Sequence, residues 1–213
     1  MKATLFLYYH AHPMIDTLYD ELSTVISTPL YKSDFKQLPQ VLALMKSEQV
    51  SELDVHPLFF TDGITLSQAR KLIDESFVHV HHCASVTSLP HFSDLLIQCF
   101  KVQTNDTIVV LAHGTRDMSA YEQLLEELKT KCADGCLMAL HNQASLENTI
   151  KHLKEKTPQH VIIIPLFFTY GHHMKKDIPK MLAQIDPLCD YQYQPKGLCD
   201  YEIFRRYYLK SFC

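Results

Sequence analysis

The sequence has no tryptophan and only five glycines among its 213 residues. It also has no apolar run as long as the about 18 residues that a membrane span requires. The phosphate-loop and dinucleotide glycine patterns are absent, so no nucleotide is expected. The apolar run near the amino terminus is too short for a signal peptide and meets histidines at once. The sequence therefore predicts a cytoplasmic protein.

Charge and cysteine content exclude further classes. The formal net charge is −4, which gives no indication of nucleic-acid binding. Seven cysteines stand at irregular spacings without a Cys-x-x-Cys pair, so reduced thiols are expected. The closest pair, Cys132 and Cys136, is a weak candidate for a metal site because no second pair accompanies it.

The chain repeats itself at about half its length. The stretch from Pro57 to Gly63 reads Pro-Leu-Phe-Phe-Thr-Asp-Gly, and the stretch from Pro165 to Gly171 matches it in all but one position. Such a period predicts two copies of one unit, with ranges 1–102 and 103–213 and a boundary in the polar stretch 101–106. In this alignment His10 corresponds to His113.

Strand and helix patterns alternate in both copies. This alternation predicts an α/β fold of two similar βα domains, each with a mainly parallel sheet flanked by helices. Pseudo-twofold symmetry would leave a cleft lined by the carboxyl ends of the strands. The predicted strands are 3–9, 53–60, 78–80, 107–112, 137–141 and 160–168, with a short extended segment within 29–39. The predicted helices are 16–25, 41–46, 66–77, 90–100, 120–131, 145–154, 175–185 and 201–209.

Histidines follow two of the strongest strand patterns. His113 ends the apolar run 108–112, and His172 and His173 come after the run 160–168. Neutral imidazoles from two strand ends can share a divalent metal or accept protons near pH 7. A histidine that caps a helix or contacts a backbone carbonyl is the alternative. Three further histidines, His79, His81 and His82, precede Cys83 and either bind a metal or are half-exposed strand residues.

Two motifs in this order resemble those of the sirohydrochlorin chelatases of the CbiX type. The first is His113-Gly-Thr-Arg-Asp after a strand, and the second is Pro165-Leu-Phe-Phe-Thr-Tyr-Gly-His-His-Met-Lys-Lys-Asp-Ile-Pro179. The family is part of the class II chelatases, with CbiK and ferrochelatase. The resemblance covers most of the chain and is clearest in residues 107–182.

The resemblance implies insertion of a divalent metal, Co²⁺ or Fe²⁺, into sirohydrochlorin during cobalamin or siroheme biosynthesis. The metal is a substrate, and Ni²⁺ and Zn²⁺ are further candidates in vitro. By the same resemblance His113 and His173 are the catalytic, metal-binding pair. No iron–sulfur cluster is expected, because the chain lacks the tail that carries one in some longer members. A monomer or a homodimer fits the two-copy sequence.

The resemblance also implies a set of substrate-binding residues near the metal pair. Sirohydrochlorin carries many carboxylates, which favours cations at the rim of the site. For Lys175 and Lys176 the alternative is a solvated helix start, and for His10 it is a structural histidine. The predicted set is Thr115, Arg116, His10, His172, Lys175 and Lys176.

The first copy departs from the motif. Ile64 and Thr65 stand where the second copy has His172 and His173. The carboxyl-terminal copy is therefore predicted to be the active half. Two alternatives remain: a non-catalytic tetrapyrrole or metal carrier on the same fold, and a two-lobed ligand binder of the periplasmic type. His10-Ala-His12 also resembles the metal pair of a barrel hydrolase. The barrel fits poorly because it needs about 250 residues.

Overall fold

The computed structural model describes residues 1–114 and 117–212, which form eight strands and eight α-helices in alternation. The strands are β1 (Lys2–Tyr8), β2 (Leu30–Asp34), β3 (Glu52–Leu58), β4 (His79–His82), β5 (Thr107–Ala112), β6 (Asp134–Ala139), β7 (Val161–Leu166) and β8 (Tyr191–Tyr193). The helices are α1 (Pro13–Val25), α2 (Leu38–Ser47), α3 (Ile64–Asp74), α4 (Phe92–Phe100), α5 (Ser119–Lys129), α6 (Gln143–Lys156), α7 (His172–Leu182) and α8 (Glu202–Lys210). None of the described helices is long and apolar enough to cross a membrane.

The strands form two parallel sheets of four strands each, as the alternation predicts. Their orders are β2-β1-β3-β4 and β6-β5-β7-β8, so each strand has its counterpart four strands later in the chain. The predicted α/β fold with two similar parallel sheets is therefore confirmed. The extended segment predicted within 29–39 is β2, whereas β8 was not predicted because its three residues are too few to show a pattern.

The central strands of both sheets are apolar because helices cover them. All six residues of β5 and all six of β7 are buried. In the second sheet, α7 packs on the strands through Met174, Ile178 and Leu182, which recur every four residues along one helix face. This packing fixes the position of α7 relative to the ends of β5 and β7.

Each sheet carries a proline in an inner strand at the same place. Pro57 in β3 pairs in register with Leu7, and Pro165 in β7 pairs with Leu111. A proline has no N–H, so it cannot donate a hydrogen bond to the neighbouring strand that its nitrogen faces. Both positions lie beyond the end of the outer neighbour, since the pairing of β3 with β4 stops at Val55 and that of β7 with β8 stops at Ile163.

The chain divides into two compact units whose limits differ from the predicted ranges 1–102 and 103–213. The first unit contains Met1–Pro90 and the chain from Arg205 on, and the second contains His91–Phe204. Helix α4 lies in the second unit because it packs on α5 and β7, and Lys131 bonds to Asp94 in it. Arg205 lies in the first unit, where its Nε donates to the Glu21 carboxylate at 3.0 Å. The division of the sequence into two repeats stays a prediction.

Candidate metal centre

His113 lies directly beyond the carboxyl end of β5, where the predicted strand end places it. The next residue, Gly114, has a φ of +86°, a left-handed conformation that a side chain disfavours. A Cβ added there would lie 3.1 Å from the carbonyl oxygen of Leu140. The glycine therefore lets the chain turn away while the imidazole of His113 stays at the end of the sheet.

His173 lies in the first turn of α7. The helix begins at His172, three residues before the predicted start at Lys175, because Gly171 takes the N-cap position in an extended conformation. The backbone N–H of Lys175 donates to the Gly171 carbonyl at 3.2 Å, which closes the first turn. The prediction that Pro179 stands near the helix start was wrong, since the earlier start places it in the helix interior.

The two predicted ligands face one another. The Nε2 atoms of His113 and His173 are 3.2 Å apart, and the ring centroids are 4.7 Å apart with the planes at 81°. Two imidazole nitrogens that bind one metal at about 2.0–2.1 Å lie roughly 3.0–3.4 Å from each other. Without a metal the same distance suits an N–H of one ring that donates to the lone pair of the other.

Asp177 orients His173. One turn further along α7, its Oδ2 lies 2.7 Å from His173 Nδ1. This bond holds the pKa of the Asp177 carboxyl below its usual range, so the ionised carboxylate is favoured and accepts a hydrogen bond from the Nδ1–H of His173. A neutral His173 then carries its proton on Nδ1 and presents the lone pair of Nε2 to His113.

His141 is a functional candidate that the sequence reasoning missed. Its nitrogen lies within 4.8 Å of the ligand atoms of both His173 and Asp177, and its ring centroid is 6.3 Å from that of His113. Its position is set by β6, which ends at Ala139, and by a φ of +57° at His141 itself. The signal that could have identified it is a histidine after a third parallel strand, because the carboxyl ends of neighbouring strands lie at one edge of the sheet.

The start of α6 explains where His141 lies. The sequence favoured Ser145 as the helix cap, but the helix begins at Gln143 and its N-cap is Asn142, whose Oδ1 accepts from the Ser145 N–H at 3.0 Å. The Ser145 hydroxyl instead lies 2.9 Å from the Ala139 N–H at the end of β6. His141 is therefore confined to a connection of two residues, Leu140 and His141, between the strand and the helix cap.

The environment favours the neutral form of His113. Desolvation by the surrounding atoms is the largest influence and lowers its pKa, although part of the ring is exposed. The Gly114 carbonyl opposes this effect, while His173 and His141 lower the pKa of His113 further. A neutral imidazole is both a metal ligand and a proton acceptor.

The predicted substrate-binding residues are placed as follows. His172, Lys175 and Lys176 are exposed in the first two turns of α7, and the Lys175 Nζ lies 5.3 Å from the centroid of the Tyr170 ring. Thr115 and Arg116 lie outside the described residues. His10 is exposed in the first unit, with its ring centroid 4.2 Å from that of Tyr9. The roles assigned to these residues stay predictions.

Strand register corrects the predicted correspondence of His10 with His113. Because Pro57 and Pro165 are equivalent, Tyr8 corresponds to Ala112, and Tyr9 therefore stands where the second sheet has His113. The surrounding rings agree, since the ring centroid of Tyr9 is 6.3 Å from that of Phe59 and that of His113 is 6.5 Å from that of Phe167. The prediction was wrong by one residue.

His113, His141, His173 and Asp177 form the cluster of the candidate centre. The first sheet has none of these four side chains at the equivalent positions. Lys36 precedes the N-cap of α2 as His141 precedes that of α6. Counting from the equivalent N-caps Gly63 and Gly171 gives the counterparts of His173 and Asp177. In the first sheet the four positions hold Tyr9, Lys36, Thr65 and Ala69.

Comparison with known proteins gives a family match over the second sheet. Residues 107–194 match the CbiX family model. The predicted resemblance is confirmed over this stretch, which contains all four residues of the cluster. A sirohydrochlorin cobaltochelatase of Methanococcus aeolicus is 29% identical over 87 residues, which are 38% of this chain and 61% of the relative. The match therefore spans about three fifths of the length of this curated relative.

Solved structures extend the likeness to the whole fold. A CbiX described as the terminal enzyme of siroheme biosynthesis in denitrifying bacteria superposes with a TM-score of 0.69 at 14% identity, covering 100% of this chain and 98% of the other. The sirohydrochlorin chelatase SirB of Bacillus subtilis subspecies spizizenii, in complex with cobalt, gives 0.68 at 9% identity, covering 99% and 93%. The chain therefore has the chelatase fold.

Substitution of Gly114 by alanine is expected to destabilise the protein by about 1–3 kcal/mol, since the left-handed backbone and the 3.1 Å approach to the Leu140 carbonyl both oppose a Cβ. Urea unfolding measures the effect. Gly63→Ala is the control, because the nearest atom to its Cβ is 3.8 Å away and its φ is −68°. Equal stabilities of the two variants would contradict the role given to Gly114.

Proposed function

We propose that the protein inserts a divalent metal, Co²⁺ or Fe²⁺, into sirohydrochlorin in the cytoplasm, as a step in cobalamin or siroheme biosynthesis. The observation that carries the proposal is the 3.2 Å approach of His113 and His173 within the stretch that matches the CbiX family. The names of the curated relative and of the two solved structures support this substrate class.

The side chains of the cluster suit each part of the reaction. Insertion requires that the metal leave its protein ligands for the ring nitrogens and that two pyrrole N–H protons be removed. His113 and His173 hold the metal as neutral ligands. Because these ligands are uncharged nitrogen atoms, the metal can exchange to the nitrogens of the tetrapyrrole. His113 then accepts a proton, since its lowered pKa keeps it unprotonated near pH 7 before the substrate binds.

Asp177 and His141 have supporting roles in this scheme. The Asp177 carboxylate fixes the tautomer of His173 and stabilises that ring when it carries extra positive charge. His141 supplies a further nitrogen beside His173 and Asp177. A further base for the second pyrrole proton is therefore present in the same cluster.

Exposed cations beside the cluster fit a polycarboxylate substrate. Lys175 and Lys176 stand two and three residues after His173 on α7 and are exposed. Lysines recognise carboxylates as point charges, and exposed pairs contribute about 0–1 kcal/mol each. Arg116 is assigned to the same task from the sequence motif. We retain both a monomer and a homodimer as possible assemblies.

An optical assay tests the proposal. Sirohydrochlorin and Co²⁺ are mixed with and without the protein, and the visible spectrum follows formation of the metallated ring. The wild-type protein is expected to accelerate insertion above the spontaneous rate, and His113→Ala is expected to lose at least about a hundredfold of that acceleration. Tight binding of sirohydrochlorin without any acceleration would favour the carrier alternative and contradict the enzyme.

A further inference from the structure

A second cluster of metal-binding side chains lies in the first sheet. Asp54 and His56 alternate along β3, and His81 and Cys83 alternate along and just beyond β4. Asp54 pairs in register with His81, and the Cys83 N–H donates to the Val55 carbonyl at 2.9 Å, which continues the ladder. Because side chains alternate between faces, all four point to one side of the sheet.

The distances within this cluster are close to those of a metal site. The Sγ of Cys83 lies 3.3 Å from His56 Nε2 and 3.9 Å from His81 Nδ1. A tetrahedral metal with bonds of about 2.3 Å to sulfur and about 2.0 Å to nitrogen places these atoms roughly 3.5 Å apart. Asp54 Oδ1 is 3.6 Å from His81 Nδ1, and its other oxygen is held by Lys2 at 2.9 Å.

One ligand is fixed and another is free to adjust. His56 is 8% exposed, and its ring stacks on Phe212 with centroids 3.7 Å apart and planes at 12°. The side chain of His81 is 74% exposed. Among the described residues, three ligand atoms that lie within 4.8 Å of one another are found at His141, His173 and Asp177. The second cluster does not meet this spacing as it stands, so metal binding there requires the side chain of His81 to turn.

The neighbouring histidines of the same sequence run do not take part. His82 points to the other face of β4, and its Nε2 lies 2.7 Å from the Asp74 carboxylate. His79 shares the face of His81 but pairs in register with Glu52, one step further from Cys83 along the ladder. The run His79–Cys83 therefore contributes two side chains to the second cluster, those of His81 and Cys83. Strand β3 contributes the other two, those of Asp54 and His56.

Burial leaves both inner ligands neutral when no metal is bound. It lowers the pKa of His56 to about 4 and raises the pKa of the Cys83 thiol to about 11. His56 therefore offers a lone pair without loss of a proton. A bound metal displaces the thiol proton of Cys83 to solvent and forms the metal–thiolate bond.

We propose that His56, His81 and Cys83, with Asp54 Oδ1 as the fourth ligand, form a site for a divalent metal that accepts both sulfur and nitrogen, represented by Zn²⁺. Imidazole and thiolate together suit such metals, and four protein ligands are typical of a structural site. The metal would join the short outer strand β4 to β3. This site is independent of the proposed chelatase function.

Cobalt absorption distinguishes the two clusters. Co²⁺ bound to a thiolate gives a charge-transfer band in the near ultraviolet, whereas the cluster of His113, His141, His173 and Asp177 contains no sulfur. The reduced full chain is titrated with Co²⁺, and the proposal expects a saturable band whose final intensity corresponds to one thiolate-bound Co²⁺ per chain, in addition to Co²⁺ bound at His113 and His173. Added Zn²⁺ should then remove it.

Three variants decide the assignment. Cys83→Ser is expected to abolish the band, and Cys132→Ser, a half-buried thiol in the second unit, is expected to keep it. His81→Ala is expected to weaken Co²⁺ binding at least tenfold and to fold normally, because its ring is largely exposed. The proposal is overturned if the wild type shows no thiolate band, if Cys83→Ser retains it, or if His81→Ala binds Co²⁺ as tightly as the wild type.

Discussion

His173→Ala is expected to lower the protein-dependent rate of cobalt insertion into sirohydrochlorin by at least about a hundredfold. The substitution removes the imidazole whose Nε2 lies 3.2 Å from that of His113, so the metal keeps one ligand of the pair and loses its contact with the helix. Groups that hold a metal or transfer a proton in the transition state commonly contribute factors of 10²–10⁴. The visible spectrum of the metallated ring gives the rate.

His79→Ala is the matched control for this variant. It removes an exposed histidine from β4, a strand that carries none of His113, His141, His173 and Asp177. Its insertion rate is expected to equal that of the wild type. A His173→Ala protein that folds and keeps the wild-type rate would contradict the metal-binding role of His173.

Asp177→Asn is expected to weaken Co²⁺ binding at the candidate centre about 10–100-fold, the range found when a carboxylate behind a histidine ligand is replaced. The carboxylate accepts from His173 Nδ1 at 2.7 Å, whereas an amide can turn its NH₂ group toward that nitrogen and favour the wrong tautomer. Equilibrium dialysis with Co²⁺, in the Cys83→Ser background so that no thiolate contributes, measures the change.

Lys180→Ala serves as the control for Asp177→Asn, since it removes an exposed charge from the same helix three residues later. It is expected to leave Co²⁺ affinity unchanged. The account of His173 would be wrong if both variants bound the metal equally well, because the hydrogen bond to Asp177 would then contribute nothing to its orientation.

The strands that carry the candidate centre were predictable because burial on both faces leaves a plain signal. The runs 107–112 and 160–168 are continuous and apolar, and they correspond to β5 and β7 with small changes at the ends. The histidines that follow them could therefore be placed at one edge of a parallel sheet. The motif resemblance then singled out His113 and His173.

The counterpart of His113, the role of His141 and the packing of α4 depended on three-dimensional geometry that the sequence does not show. The one-residue error at His10 arose because an alignment of sequence cannot fix register, whereas pairing of Leu7 with Pro57 and of Leu111 with Pro165 does. His141 was missed because its place depends on the cap that Asn142 gives to α6. No local pattern showed that α4 packs with the second unit, because the apolar face of a helix does not indicate which element it packs against.

The four missing side chains in the first sheet give the cluster an internal control. Equivalent backbone positions hold Tyr9, Lys36, Thr65 and Ala69, so the fold alone does not require histidines at these strand ends. The second sheet carries three histidines and an aspartate on the same framework. Their presence together is better explained by a shared ligand than by support of the strands or helices.

The central claim is that His113 and His173 hold one metal together. A crystal of the full chain grown with Co²⁺, with anomalous diffraction recorded at the cobalt edge, measures this directly. The account predicts an anomalous peak about 2.0–2.2 Å from Nε2 of both His113 and His173. Cobalt bound instead to His172 alone, or no peak between the two rings at saturating Co²⁺, would contradict it.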